Sequence, residues 1–556
     1  MKLKRFSIGT LGLLAVSGLA WSCSSKSSDC NESLSCEPYD GAGSSGAPGA
    51  SGASGSSNTS GTSGTSGTPG TNGGEGGTDA AAGSGGAPPP PCDGSLSPDT
   101  DACVISDEYG VFVSPTGDDS SADGKQAHPY ATVTRALANI GKIKHVYVCT
   151  GEYAEPATLE IPDRVSIYGG FTCEGGTWKY DADSPAFLHP ADPIGATITD
   201  AKIGVVLQDL RIDAANASDD TGASSFGLMV KTSQNVMLKR VEIHSGKGGK
   251  GKDGVDGASG LDGIASGAGQ NGKAGSCGSP PGSQTGPAPV PKICGSEGGV
   301  GGTASVAAAY SSAQDGLTGY LVSPSNGGKG GEVLGQNAKS GQVGDNGARG
   351  EPGVVAPVVG VFSGNGYQVA SGGSGNPGKP GFGGGGGGAS LGAAGTTMCL
   401  GSTGGAGGMG GCGGDPGGGG TGGGASVALL ISQSSVTLEA CTLTANLGGA
   451  GGKGGAAHAG GLGKAGGIGG PADTSTTVGK GGSGGDGGNG GNGGSGAGGT
   501  GGPSIALVYE GTAPTRVGQS TLSFAAPAPG GKGGTFGIVS APDGLKGLTQ
   551  DVYSQM

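Results

Sequence analysis

Short runs in which apolar and polar residues alternate occupy much of the chain between residues 92 and 245. Alternation with a period of two is typical of a strand that is buried on one face, and Gly, Asp or Pro bounds most of these runs. Strands are predicted at residues 111–113, 145–148, 158–161, 164–168, 196–199, 205–207 and 210–212. Many short strands at nearly regular spacing predict a stacked all-β architecture.

One stretch, which begins after Thr132, has the spacing of a helix instead. Thr132 is placed to cap its N-terminus, and Gly141 is expected to end it. The apolar residues that would share one face of this helix are Val133, Ala136, Leu137 and Ile140. The pattern predicts a single short helix at the start of the β region.

A unit that occurs three times determines the predicted fold. Each copy has two apolar stretches and then a glycine tract, at residues 223–230 and 236–243, at 425–431 and 436–443, and less regularly at 503–508 and 517–522. The simplest geometry makes each copy one coil of a parallel β-helix, with the glycine tracts inserted at one corner. We therefore expect a β-helix domain at 92–245, a Gly-rich insertion at 246–424, a coil at 425–446, a second tract at 447–502 and a terminal coil at 503–556.

The coils can be aligned in register. Residues 207–213 placed on residues 238–244 bring apolar residues over apolar residues. The same alignment pairs Asp209 with Arg240, Arg211 with Glu242 and Asp213 with His244. Opposite charges on adjacent strands stabilise a sheet by about a few tenths of a kcal/mol for each pair. We interpret these residues as solvent-facing ladder pairs rather than as catalytic groups.

Four motifs follow one another between residues 111 and 170. They are Val113-Ser-Pro-Thr-Gly117, Pro129-Tyr-Ala-Thr132 with Arg135-Ala-Leu137, Gly151-Glu-Tyr153 and Val165-Ser-Ile-Tyr-Gly-Gly170. Together they resemble a family of bacterial β-helix domains in the pectin-lyase-like superfamily. The resemblance implies a right-handed parallel β-helix, a short helix that caps its open end, and a first full coil that begins at Gly151.

The N-terminus has the three parts of an export signal: basic Lys2, Lys4 and Arg5, an apolar run, and small residues before Cys23. The last part resembles the lipobox of bacterial lipoproteins. Residues 1–22 are therefore predicted to be a lipoprotein signal peptide and Cys23 a lipidated residue, which implies a lipid-anchored protein at the outer membrane or cell surface. The alternative is an ordinary signal peptide with Cys23 as a plain thiol. Residues 23–91, rich in Gly, Ser, Thr and Pro, are expected to form a flexible tether.

The chain contains 12 cysteines, and in an exported chain cysteines indicate disulfides. If Cys23 is acylated and Cys441 is a buried free thiol, ten cysteines remain. Nearest-neighbour pairing predicts Cys30–Cys36, Cys92–Cys103, Cys149–Cys173, Cys277–Cys294 and Cys399–Cys412. Cys149 and Cys173 are about one coil apart, so their disulfide would join neighbouring coils.

Glycine accounts for 136 of the 556 residues, and in the tracts it often recurs at every third position. These tracts resemble those of glycine-rich, PE-PGRS-like lipoproteins, although the PE helical domain is absent. The triplet runs are too short and too poor in proline for a collagen trimer. Two interpretations remain: a polyglycine-II-like bundle of extended threefold helices, or disorder.

The net charge of −13 argues against nucleic acid as a partner. Asp118, Asp119 and Asp123 are weak candidates for Ca²⁺ ligands, and no other cofactor or metal is predicted. No catalytic residue stands out, so we expect a non-enzymatic surface lipoprotein with a structural, adhesive or envelope-matrix role. Its expected partners are the membrane, through the lipid anchor, and surface polysaccharide or another envelope protein.

Two other functions stay open. A β-helix carbohydrate-binding protein, or a polysaccharide lyase or hydrolase, would work along the coil face, with Asp209, Arg211, Asp213 and Glu242 as its candidate residues. An envelope assembly factor is the third possibility.

Overall fold

The structure is a computed structural model, and it describes residues 92–278, 282–306, 313–320, 326–393, 397–474 and 477–555. The predicted signal peptide, Cys23, the tether and the Cys30–Cys36 pair lie outside the described residues. Within the described ranges, no helix is both long enough and apolar enough to cross a membrane.

Within the described residues, the regular elements are short strands and one α-helix, and long glycine tracts lie between some of the strands. In chain order the elements are β1 (Gly110–Val113), α1 (Val133–Asn139), β2 (His145–Cys149), β3 (Gly151–Glu155), β4 (Leu159–Ile161), β5 (Ser166–Thr172), β6 (Lys179–Tyr180), β7 (Ala186–Pro190), β8 (Ile194–Thr199), β9 (Val205–Gln208), β10 (Leu210–Asp213), β11 (Ser225–Lys231), β12 (Val236–Lys239), β13 (Glu242–His244), β14 (Ser276–Gly278), β15 (Ser283–Gln284), β16 (Ala304–Ser305), β17 (Gly360–Ser363), β18 (Gly366–Val369), β19 (Met398–Leu400), β20 (Ser426–Ser432), β21 (Val436–Glu439), β22 (Thr442–Thr444), β23 (Ser504–Glu510), β24 (Thr515–Val517), β25 (Thr521–Ser523), β26 (Thr535–Phe536), β27 (Val539–Ser540) and β28 (Thr549–Gln555). Single 3-10 turns lie at Ala102–Val104, Glu174–Gly176 and Ala268–Gln270.

Three sheets of parallel strands run the length of the coil stack. Sheet 1 has the order β1-β2-β5-β9-β12-β21-β24, sheet 2 the order β25-β22-β13-β10-β7-β3, and sheet 3 the order β28-β23-β20-β11-β8-β4. Only β6, which pairs antiparallel with β5, departs from the parallel arrangement within these sheets. This is the predicted architecture of a right-handed parallel β-helix.

Each coil contributes three strands, whereas the sequence pattern predicted two. The second apolar run of each unit bends between sheet 1 and sheet 2. The bend lies at residues that succeed one another in the stack, Asp209, Arg240 and Ala440, with φ values of 54°, 50° and 52°. Because these φ values are left-handed, each run ends one strand there and begins the next. Strands β3 and β7, which the sequence pattern did not predict, complete sheet 2.

The interior of the β-helix consists of apolar residues stacked in register. Leu207, Leu238 and Leu438 succeed one another in neighbouring coils, and each is 0% exposed. This confirms the predicted alignment of residues 207–213 on residues 238–244. Burial of such a side chain stabilises the fold by about 1.5–3 kcal/mol.

Helix α1 covers the N-terminal end of this core, as predicted. Val133 is 0% exposed, and the Thr132 hydroxyl accepts a hydrogen bond from the Arg135 N–H at 3.1 Å. The buried Glu155 carboxylate accepts hydrogen bonds from the N–H groups of Val133 and Thr134 at 2.7 and 2.9 Å. The first turn of the helix is thus held to β3, which is part of the first full coil.

The glycine tracts all leave the β-helix at one corner, between sheet 2 and sheet 3. They follow β13, β22 and β25, and the chain then returns to β20, β23 and β28. The tracts are ordered. The N–H groups of Gly251, Gly254 and Gly257 donate in turn to the carbonyl oxygens of residues 450, 453 and 456, at 2.9, 2.7 and 2.9 Å. A hydrogen bond at every third residue is the pattern of the polyglycine-II-like bundle, and it favours this interpretation over disorder.

Two of the predicted disulfides are confirmed and two are wrong. Cys92–Cys103 and Cys149–Cys173 are formed, whereas the bundle contains Cys277–Cys399 and Cys294–Cys412. The partners in the bundle are 122 and 118 residues apart because neighbouring strands come from distant parts of the chain. Nearest-neighbour pairing fails for this reason. Cys441 is buried and free, as predicted.

Candidate functional site

The outer face of sheet 2 carries a group of charged and aromatic side chains on four neighbouring strands. Alternation along β7 and β10 turns Leu188 and Ile212 inward and leaves the residues on either side of them partly exposed. The group, which we term the sheet 2 patch, consists of Glu152, Phe187, His189, Arg211, Asp213, Glu242 and His244. Its members are brought together by the in-register stacking of β3, β7, β10 and β13.

Asp213 lies at the centre of the sheet 2 patch. Its carboxylate is 3.0 Å from Arg211 Nε, 3.0 Å from His244 Nδ1 and 3.4 Å from His189 Nδ1. Partial burial opposes ionisation of this carboxyl, but the hydrogen bonds from His244 and Arg211 outweigh it and lower the pKa of Asp213 below its usual value. Asp213 is therefore an anion that orders three cationic or potentially cationic side chains around itself.

His189 bridges two carboxylates. Its Nε2 atom contacts the Glu152 carboxylate, and its Nδ1 atom faces Asp213. The Arg211 guanidinium lies over the Phe187 ring, 5.8 Å from its centroid. An aromatic face beside charged hydrogen-bonding groups on a rigid sheet is an arrangement that can bind a polar ligand such as a sugar or an organic acid.

Asp209 is not part of this patch. It lies at the bend between sheets 1 and 2, where it is 1% exposed and forms an ion pair with Arg240 at 2.6 Å. The predicted pairing with Arg240 is confirmed, but the expectation that Asp209 faces solvent is wrong. Tyr180 and Gln208 also donate to its carboxylate, at 2.5 and 3.0 Å, and these contacts close over the pair.

Of the remaining predicted pairs, that of Asp213 with His244 is confirmed, at 3.0 Å, whereas that of Arg211 with Glu242 differs. Arg211 stands opposite Glu242 in the register, as expected, but its ion pair is with Asp213. Because residues two apart on a strand point to the same face, the guanidinium reaches Asp213 along its own strand. Because Asp209 is buried at the bend and Asp213 lies on the outer face of sheet 2, these two candidate carboxylates do not share a groove.

The three weak Ca²⁺ candidates each have separate partners. Asp118 accepts from the Ser120 N–H at 2.8 Å, Asp119 accepts from the Ala131 N–H at 2.7 Å, and Asp123 pairs with Lys125 at 2.6 Å. In the part of the chain that the structure describes, no group of three or more His, Cys, Asp or Glu side chains could hold a metal ion. The structure thus gives the proposed Ca²⁺ ligands other roles, in turns and beside helix α1.

Sequence reasoning missed three members of the sheet 2 patch, namely Glu152, Phe187 and His189. A signal for two of them was present, because residues 186–190 alternate between apolar and larger outward residues. The run Ala-Phe-Leu-His-Pro contains apolar residues at both kinds of position, which hides this alternation.

The outer face of the glycine bundle is a second candidate surface. Along residues 447–468 one residue in three points outward, at a spacing of about 9 Å in a threefold extended helix. The exposed members of this row are Leu447, Lys453, Ala459, Leu462, Ala465 and Ile468. Glycines between them allow close packing: a Cβ on Gly461 would lie 1.9 Å from the Leu261 carbonyl oxygen.

A search of curated proteins found no match. Among solved structures, a rhamnogalacturonan lyase is similar at 18% sequence identity, with a TM-score of 0.14, over 26% of this chain and 40% of that chain. The chain thus spans less than half the length of that lyase, and a likeness of this size carries no argument about function. Residues 115–191 match the family model described as "Protein of unknown function (DUF1565)". Over the segment that contains helix α1 and strands β2 to β7, this chain is therefore similar to the DUF1565 family.

Proposed function

We propose that the protein is a non-enzymatic, exported surface lipoprotein, anchored through an acylated Cys23, whose glycine bundle has an adhesive or envelope-matrix role. The observation that carries this proposal is the order of the glycine tracts. A hydrogen bond at every third residue makes them a packed body with regular outward rows of side chains.

The bundle has the properties of a rigid projection. Cys277–Cys399 and Cys294–Cys412 join strands that are distant in sequence. These covalent bonds prevent the joined strands from sliding past one another. The four disulfides among the described residues are also typical of proteins in oxidising compartments, which agrees with export.

The bundle is also fixed to the β-helix. The hairpin of β17 and β18 lies on the outer face of sheet 3, where Phe362 is 4% exposed and packs in one apolar cluster with Phe226, Met229 and Leu430. Its ring lies 5.5 Å from that of Tyr553 in β28. This apolar contact supports a role in which the β-helix holds the bundle in a fixed direction.

Adhesion can be tested with beads coated with the purified protein, or with cells that display the full chain. We expect attachment to fall at least tenfold in Leu462→Asp/Ile468→Asp, which changes the outward row. It should be unaffected in Asp213→Ala, which alters only the sheet 2 patch. Equal attachment by wild type and the double variant would exclude the outward row as an adhesive surface.

A second candidate function is polysaccharide binding at the sheet 2 patch, favoured by the position of Arg211 over Phe187. Titration of the protein with polygalacturonate and with a neutral glucan would test it. Binding that weakens about tenfold in Phe187→Ala and Arg211→Ala, with no shortening of the polymer, would support a binding role without catalysis. Shortened chains that disappear in Asp213→Ala would support the enzymatic alternative.

A further inference from the structure

In the segment of residues 447–470, the N–H groups of every third residue from Gly451 onwards form a row of hydrogen-bond donors. The strand that accepts from the first of these donors ends before the row does. The hairpin that contains β26 and β27 lies on the part of the bundle next to the β-helix. There Gly451 donates to the Pro529 carbonyl at 3.0 Å, and Gly454 donates to the Lys532 carbonyl at 2.8 Å. Beyond this hairpin, no strand among the described residues takes the next donors of the row.

Side chains take the place of the missing strand. The next five donors of the row are the N–H groups of Ala457, Gly460, Gly463, Gly466 and Gly469. They donate in turn to Ser495 Oγ, Asn492 Oδ1, Asn489 Oδ1, Asp486 Oδ1 and Ser483 Oγ, at 3.4, 3.3, 2.9, 3.2 and 3.2 Å. All five acceptors come from every third residue of the neighbouring strand, residues 481–502.

Beneath the hairpin, the corresponding positions of residues 481–502, again at every third residue, are occupied by glycine. These positions are Gly498 and Gly501. A Cβ at these positions would lie 1.9 Å from the Gly531 carbonyl oxygen and 2.3 Å from the Ala528 carbonyl oxygen. Polar side chains are therefore present where no strand covers the row and absent where a strand does.

A second edge of the bundle follows the same rule. Asp253, Asp256, Asp262 and Asn271 are on the edge strand, and their side-chain oxygens accept from the N–H groups of Lys453, Ala456, Leu462 and Ile468 at 2.9, 2.7, 2.7 and 2.8 Å. Backbone donors that lack a strand partner are satisfied in the same way at two separate places.

We propose that these rows of Asp, Asn and Ser close the lateral edges of the bundle and prevent a glycine-rich strand of a second copy of this chain from adding to it. The interaction surface is the groove between residues 457–469 and residues 481–495. The strand that these side chains keep out would have glycine at every third position. The segment of residues 529–534, which is glycine-rich, occupies the same groove in the part of the bundle next to the β-helix. The inference rests on the bundle geometry and does not depend on the adhesive role.

The test is the variant Asp486→Gly/Asn489→Gly/Asn492→Gly in the full chain. We expect its molar mass by light scattering to reach at least twice that of the wild type. The matched control is Asp486→Ala/Asn489→Ala/Asn492→Ala, which also loses the acceptors but keeps a Cβ in the groove, and its mass should equal that of the wild type. Equal mass in the glycine and alanine variants would overturn the proposal.

A peptide probe keeps the proposal testable if the triple variant does not fold. Asn489→Gly alone should bind a synthetic Gly-Gly-Lys-Gly-Gly peptide at least tenfold more tightly than the wild type does, because five residues at about 3.1 Å each fit between Asp486 and Asn492. Amide hydrogen exchange should then show protection at Gly463 when the peptide is bound. Equal affinity for the wild type and Asn489→Gly would refute the proposal.

Discussion

The Asp209 carboxylate accepts two hydrogen bonds from the Arg240 guanidinium, at 2.6 and 2.9 Å, between neighbouring coils of the β-helix. Asp209 is 1% exposed, whereas the Arg240 side chain is 33% exposed. Removal of the carboxylate in Asp209→Ala leaves the Arg240 guanidinium in a partly dry corner, where its only remaining carboxylate partner among the described residues is the more distant Asp99, at 3.8 Å. We expect a loss of about 2–3 kcal/mol in the free energy of unfolding, below the value for a fully buried pair because Arg240 reaches solvent. Urea denaturation would measure it, and a change below about 0.5 kcal/mol would contradict it.

Because glycines in the bundle pack against backbone, a valine should destabilise the protein strongly at an inward-facing position and very little at an outward-facing position two residues away. Gly461→Val places a side chain against the Leu261 carbonyl, where even a Cβ would lie 1.9 Å away. Ala459→Val places the same valine side chain at an exposed position and is the matched control. We expect the first variant to lower Tm by several degrees and to lose amide protection around residues 250–263 and 455–470. The second should behave as the wild type.

The bundle disulfides predict a specific cross-link pattern and a large contribution to stability. A non-reduced digest should yield peptides that join Cys277 to Cys399 and Cys294 to Cys412. With Cys294–Cys412 intact, Cys277–Cys399 closes a loop of only about 30 residues, made of 277–294 and 399–412. In the chain-entropy model such a loop contributes roughly 3.6 kcal/mol, so Cys277→Ala/Cys399→Ala should destabilise the bundle by about that amount. Peptides that join Cys277 to Cys294 would show that the bundle strands are connected differently.

Low pH should weaken the edges of the bundle. The Leu462 N–H and the Lys464 ammonium lower the pKa of Asp262, and the Lys453 N–H and Lys250 lower that of Asp253. Because the folded-state pKa is depressed, the stabilisation is present above the unfolded value of 3.8 and is lost as pH falls through the folded-state pKa. The protection factors of the amides of residues 453–464, which are exchange rates corrected for intrinsic exchange, should therefore be lower at pH 2 than at pH 5.

The matched control for this pH effect is Asp262→Asn, which keeps the acceptor oxygen but cannot titrate. Its exchange at Leu462 should depend less on pH than that of the wild type, after correction for intrinsic exchange rates. An identical pH dependence in the two proteins would exclude Asp262 as a source of the effect.

The proposed anchor predicts a change in location. Cys23→Ala should release the protein from membranes into the soluble fraction, because several acyl chains at about 0.8 kcal/mol per buried CH₂ would be lost. Cell fractionation with mass spectrometry of the N-terminal peptide would measure both location and acylation. Membrane association that persists in Cys23→Ala would show that another feature holds the protein.

The β-helix could be predicted from sequence because its interactions repeat locally. Leu207 stacks on Leu238 one coil later, so a short apolar pattern already contains the register. The bundle could not be predicted to the same depth. A glycine triplet is compatible with many neighbours, and Cys277 and Cys294 therefore gave no sign of their partners. His189 was missed because its strand has apolar residues on both faces, and Asp209 because a bend removes it from solvent.

The strand at residues 401–424 lies inside the bundle, and its position constrains the order in which the molecule can be assembled. The Cys412 N–H donates to the Leu261 carbonyl, and the Cys412 carbonyl accepts from Gly461, so this strand joins one segment made well before it to another made after it. Contacts of such long range are slow to form. The strand at 401–424 cannot be covered on this side until residues 447–502 have emerged. Before that point the bundle is incomplete, and its glycine tracts lack some of their hydrogen-bond partners. Completion after translocation suits a protein that crosses a membrane as an unfolded chain.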